Sequence, residues 1–220
     1  AATAERAPAP PTGGRALSAR AVSAAFDQGG IEPRRGLAEL RRLRLQAIAS
    51  GDRTLRWMID DAECRLVADI NVDAAATVTR NGLRQRPPDA GAPLEMRAAW
   101  LKLRVCAAGV ALQQGRSAAG LPELETVLAD TQAVELEGVR AVALMERGDE
   151  RSRRGDLLQA QADLLPACAT LARLQWAADS RYCMERVAAH YGRVGDFDLA
   201  LKYYRELLAM ARTRGARHDQ

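Results

Sequence analysis

Apolar residues return every three or four positions through most of this chain, and the interruptions fall at glycines, prolines and short polar clusters. That spacing is helical. Cutting the chain at the interruptions gives five helix pairs between Ala16 and Arg214. The first covers Leu17–Gln28 and Arg34–Ser50 around the break "GGIEP". The second covers Asp52–Asp69 and Val72–Gln85, with Leu55, Met58, Ala62 and Leu66 in register, and stops at "RPPDAGAP". The third covers Leu94–Gln113 and Ala118–Thr131, the fourth Val134–Arg153 and Leu157–Leu174, and the fifth Ala177–Arg193 and Phe197–Arg212. No period-two alternation interrupts them, which predicts an all-α fold.

The last three pairs superimpose when counted from Gly115, Gly155 and Gly195, a fixed spacing of forty. Five residues after each glycine stand Gly120, Ala160 and Ala200; seven before stand Ala108, Gly148 and Ala188. Larger residues follow at Leu124, Leu164 and Tyr204, and the next pairs in register are Val127 and Leu128, Ala167 and Cys168, Leu207 and Leu208. Small residues where two helices cross, flanked by larger ones, are what a hairpin packed on its neighbours requires. Self-similarity at such a period marks a repeat array.

The residues Met184, Val187, Ala188, Tyr191, Gly195, Phe197, Ala200, Tyr204 and Leu207 carry a pattern that resembles the tetratricopeptide repeat (TPR). The period of forty exceeds the usual thirty-four, so the helices are expected to be longer by nearly a turn each. Arg151 stands where Tyr191 packs, and is expected to be paired, to snorkel, or to signal a register shifted by one. The resemblance implies a right-handed TPR-like α-solenoid of about ten helices in five hairpins.

Composition agrees with helix: aromatic residues are 4% of the chain, and Ala, Leu, Arg and Glu dominate. No apolar run reaches the roughly 18 to 20 residues of a membrane span, so a membrane partner would come only through a segment outside this chain. Net charge is +4, from 32 basic and 28 acidic residues. The basic residues are scattered, and even the run Arg34, Arg35, Arg41, Arg42 and Arg44 reads as a solvated helix face, so no nucleic-acid partner is expected. Residues 1–15 read as a flexible leader, 16–214 as the repeat domain, and 215–220 as a polar tail leading into a further C-terminal part.

Nothing in the sequence assembles an active site. His190 and His218 have no ligand-spaced neighbours, His190 reads as a partly exposed helix residue, and no phosphate loop or nucleophile elbow is present. No enzyme, cofactor or metal is expected of this segment. In a stacked array the first helices line an inner surface. The register puts Lys102, Val105, Leu112, Val142, Met145, Asp149, Tyr182, Glu185 and Ala189 there, as a groove for a protein or peptide partner or a small-molecule ligand. A homodimer is a further option.

The four cysteines form two candidate disulfides. Cys64 and Cys106 lie 42 residues apart, about one repeat, at similar height on first helices; Cys168 and Cys183 flank the turn near Gln175. Four buried thiols are the alternative. The Ala/Pro leader followed by a long-period helical array is similar to the N-terminal periplasmic sensor region of bacterial membrane-bound GGDEF diguanylate cyclases. That resemblance implies a sensor module regulating an output domain outside this segment. The alternative is a cytoplasmic scaffold or regulator arm.

Overall fold

The structure, a computed structural model, describes residues 12–218, and these form ten α-helices with no strand among them. The helices are α1 (Thr12–Gly29), α2 (Pro33–Ala49), α3 (Arg53–Ala68), α4 (Val72–Leu83), α5 (Leu94–Gln113), α6 (Ser117–Asp130), α7 (Glu137–Arg153), α8 (Leu157–Arg173), α9 (Ala177–Val194) and α10 (Phe197–His218), with a single 3₁₀ turn at Val134–Leu136 before α7.

Local chemistry places the ends. Asp52 caps α3 by accepting from the Leu55 amide at 3.0 Å, and Asn71 caps α4 by accepting from the Asp73 and Ala74 amides at 3.1 and 2.9 Å. Pro33 opens α2, where its missing N–H is no loss. Gly115, Gly155 and Gly195 close their helices with φ of 73, 88 and 89°, a left-handed turn that other residues enter only at a cost. Gln175 makes the same turn at φ 57° between α8 and α9.

Two layers result. Each odd-numbered helix packs on the even one that follows it, and consecutive odd helices pack on each other in an inner layer. The small residues sit at the crossings. A methyl group added at Gly148 would lie 2.8 Å from Leu164 Cγ and 3.2 Å from the Ala160 carbonyl oxygen; one at Gly120 would lie 2.6 Å from Leu112 Cδ2 and 2.9 Å from the Ala108 carbonyl oxygen. Ala160, Ala188 and Ala200 are buried. Large apolar residues surround these points, with Val105, Leu124, Val127, Val142, Met145, Leu164 and Leu171 in one cluster; burying each such side chain is worth about 1.5 to 3 kcal/mol. Arg151 is paired: its guanidinium donates to Asp163 at 2.6 Å, and Arg147 donates to the same carboxylate at 2.7 Å.

The inner layer curves until its ends meet. Helix α1 touches α9, where Phe26 stacks on Tyr182 with ring centroids 6.1 Å apart and Arg181 approaches Asp27 at 3.7 Å. Cys64–Cys106 joins α3 to α5 and Cys168–Cys183 joins α8 to α9, with Cα separations of 6.6 and 5.4 Å. Two boundaries differ from expectation. The leader lies outside the described residues up to position 11, but Thr12–Arg15 already belong to α1, because helical hydrogen bonding becomes available once the last proline, Pro11, is passed. The tail is helical through His218, its Arg and Ala residues being good helix formers, and only 219–220 lie outside the described residues.

Candidate ligand site

Nine positions were expected to line an open groove, and the curvature of the inner layer changes what that face is. Val105, Leu112, Val142 and Met145 are 1 to 3% exposed and belong to the core, not to a groove. Asp149 is buried as well, with Arg153, Arg186 and Arg193 at 3.5, 3.6 and 3.5 Å. Ala189 is half-buried. Lys102, Tyr182 and Glu185 border the two larger openings, and Val105 and Val142 meet only a small cleft of about 30 Å³ between α3, α5, α7 and α9. Closure of α1 on α9 turns most of the expected groove into core, and Leu112 packs instead toward Gly120 of α6, at the crossing within its own hairpin.

What remains is a charged column with an opening at each end. Asp179, on the first turn of α9, accepts from Arg65 of α3 and lies 3.6 Å from the Lys102 Nζ of α5. Lys102 is also 3.5 Å from Asp61. Burial works against the charge of Asp179, but the Arg65 guanidinium and the Lys102 ammonium outweigh it and hold the carboxyl below its ordinary range. Arg65 lies over the rings of Phe26 and Tyr182 at 4.8 and 5.2 Å. Tyr182 donates to Asp69 at 3.3 Å, and burial together with that carboxylate pushes its hydroxyl up to about 12. Deeper in, burial raises the Glu146 carboxyl above its ordinary range, and the opposing Arg186 does not cancel the effect.

One opening is a cavity of about 340 Å³ between α1, α3, α5 and α9. Its apolar walls include Phe26, Met58, Ala98, Ala99 and Trp176, and its charged groups are Lys102, Asp27, Glu95 and Asp179. Trp176 is held flat: its ring leans on the bare backbone of Gly138, where an added methyl would come within 2.5 Å, and the Lys102 ammonium lies 4.7 Å from its centroid on the cavity side. The other opening, about 460 Å³, lies between the α1–α2 turn and α10, with Ile31, Arg181, Tyr182, Glu185 and Tyr204 in its lining. The chain matches no family model, no curated protein and no solved structure.

An apolar, aromatic enclosure carrying one ammonium and three carboxylates can hold a small ligand that presents an apolar body and complementary charges. Among the described residues no group of three His, Cys, Asp or Glu side chains is placed to hold a metal ion. His190 is not the partly exposed residue expected. It is 1% exposed, with Ser152 Oγ 3.0 Å from Nδ1, because it follows Val187 and Ala188 into the contact with α7. Burial and the nearby Arg193 lower its pKa. Arg193 also donates to Ser152 Oγ, at 3.2 Å, so the serine oxygen joins α9 to α7 through two side chains.

Phe26, Met58, Asp61, Arg65, Trp176 and Asp179 escaped the sequence reading. The one signal for them was Asp61, a carboxylate set inside the apolar Met58–Ala62 stripe of α3. A charge there has to find a partner.

Proposed function

We propose that this chain is a non-catalytic sensor or interaction module. It is a right-handed TPR-like solenoid of about five hairpins that takes a small ligand, or the end of a peptide, at the Lys102–Trp176 cavity. The observation that carries this reading is the cavity itself, with a volume of about 340 Å³, a fixed indole face and a paired ammonium and carboxylate. Its walls come from α1, α3, α5 and α9, helices from both ends of the array. A ligand bound there favours one curvature of the array over another, since binding shifts an equilibrium by its differential affinity for the two states. That change regulates an output domain outside this segment, of the diguanylate cyclase class implied by the sequence resemblance. The two disulfides support an oxidising compartment, hence a periplasmic location.

The test is thermal unfolding of the purified chain against a panel of free amino acids and short peptides, run in parallel on Trp176→Ala and Lys102→Met. A ligand present at a hundred times its dissociation constant adds about 2.7 kcal/mol. At least one class should raise the melting temperature of the parent by several degrees and leave both variants unshifted. A panel that shifts nothing, or shifts the variants equally, overturns the cavity as the site. The compartment is tested separately by counting free thiols on exported protein denatured without reductant; four reactive thiols would remove the periplasmic reading.

A further inference from the structure

Along α10 runs an apolar stripe that nothing among the described residues covers and that meets the mouth of the opening of about 460 Å³ at Tyr204. Phe197, Leu201, Tyr204 and Leu208 follow one another at intervals of four, three and four residues and are 67, 49, 46 and 49% exposed. The neighbouring face of the same helix is in use: Ala200 is buried and Tyr203 stacks on Tyr191 of α9 at 5.9 Å. Helix α10 therefore carries two apolar faces, one of them unpartnered. Along α1, from Ser18 onward, the exposed positions are Arg20, Ser23 and Ala24, none of them a large apolar residue. A large apolar face left open on a helix marks a contact surface.

We propose that this stripe joins two copies of the chain, with their α10 helices antiparallel across a two-fold axis. Alternating intervals of three and four residues form the seam of a helix pair. With the axis between Leu201 and Tyr204, Phe197 meets Leu208 of the second copy and Leu201 meets Tyr204 of the second copy, each contact occurring twice as two-fold symmetry demands. The same alignment brings the exposed Asp198 beside Arg205 of the second copy, again twice. In a parallel pair each residue would lie beside its own counterpart, and Asp198 and Arg205 would stay two turns apart. The charge pattern thus selects the antiparallel register. This contact does not depend on the Lys102–Trp176 cavity, to which α10 contributes no side chain.

The experiment is sedimentation velocity on the full chain from about 1 to 100 µM, a range that brackets ordinary dimer affinities. The parent should dimerise with concentration. Leu201→Glu should raise the dissociation constant at least tenfold. Arg205→Asp should weaken the dimer by setting acid against acid, and the swap Asp198→Arg with Arg205→Asp should restore it. Circular dichroism checks that each variant is folded; the changes are at exposed positions, and the charge swap decides the matter if Leu201→Glu loses helix. A parent that stays monomeric overturns the proposal and assigns the stripe to another occupant. A dimer untouched by Leu201→Glu, or an Arg205→Asp loss that the swap does not restore, also overturns it.

Discussion

Helix α7 has two unlike sides. Toward α8 it is dry and tight, with Gly148 against Leu164 and Ala160 and a fork of ion pairs from Arg147 and Arg151 onto Asp163. Toward α5 and α9 it presents Val142, Glu146 and Asp149, where charges from α3 and α9 converge. The first side is a contact between chain neighbours, repeated from hairpin to hairpin. The second is unique to this molecule, and its central pair, Arg65 and Asp179, is separated by 114 residues. Hairpin contacts set the shape of a unit; interior pairs set how far the stack of units closes.

The largest effect should come from breaking the interior. Asp179→Ala leaves Arg65, side chain 9% exposed, without its carboxylate, and removing one partner of a buried pair costs about 3 to 5 kcal/mol. Urea unfolding measures it. Replacing both partners, as Arg65→Met with Asp179→Leu, should recover most of the loss, because two apolar side chains leave no charge stranded. If Asp179→Ala costs no more than a surface substitution, the interior does not hold the closure and the comparison fails.

The disulfide across the inner layer comes next. Cys64→Ala with Cys106→Ala should cost about 2 to 4 kcal/mol, the usual contribution of a native bridge. The readout is the melting temperature of the oxidised parent against the oxidised double variant, with the same comparison after reduction of both. A difference between parent and variant when both are oxidised that vanishes when both are reduced would assign the effect to the Cys64–Cys106 bond, since Cys168–Cys183 is then in the same state in each.

The hairpin side should respond more mildly. Gly148→Val forces side-chain atoms into space held by Leu164 Cγ at 2.8 Å and Asp163 Cβ at 3.0 Å, and overpacking of this kind costs about 1 to 3 kcal/mol. Gly192 is the control, with nothing within 4 Å of an added methyl, and Gly192→Ala should be neutral or stabilising through helix propensity. Equal losses at both glycines would mean that the crossing is no tighter than the surface.

These two sides also divide what the sequence could reveal. The crossings were readable because each imposes a local steric demand at a fixed offset from a turn: Gly120, Ala160 and Ala200 after it, Ala108, Gly148 and Ala188 before it. The cysteines were readable for a similar reason, Cys64 and Cys106 standing one repeat apart on adjacent inner helices. The interior was not. Register tells which side chains point inward, but whether inward means groove or core depends on curvature, the sum of small rotations over the whole array. No period in the sequence records that Phe26 reaches Tyr182. So Val105, Val142 and Met145 are core where a groove was expected, and Leu112 packs toward Gly120 of α6 rather than toward the interior. Trp176 was missed because its role follows from Gly138 and Lys102, neither of them near it in the chain.

The smallest and most discriminating test uses the sign of a titration. Glu146 in the folded protein holds its proton more tightly than in the unfolded chain, burial being the larger influence and Arg186 the main opposing one. Its contribution to stability is therefore present at low pH and lost as pH rises from the unfolded value of 4.5 through the higher folded value. Asp179 has the opposite sign: its folded value lies below the unfolded 3.8, so its contribution is present above 3.8 and disappears as pH falls through the folded value. Acidification from pH 7 should first strengthen the fold through Glu146 and then weaken it through Asp179. Glu146→Gln, neutral at every pH and close in shape, should be as stable as the parent or more so at pH 7, should lack the gain above 4.5, and should keep the acid loss. Chemical denaturation at a series of pH values reads both limbs. Overlapping profiles for parent and variant would place the Glu146 carboxylate in contact with water and would shrink the enclosed interior to the Arg65–Asp179–Lys102 cluster alone.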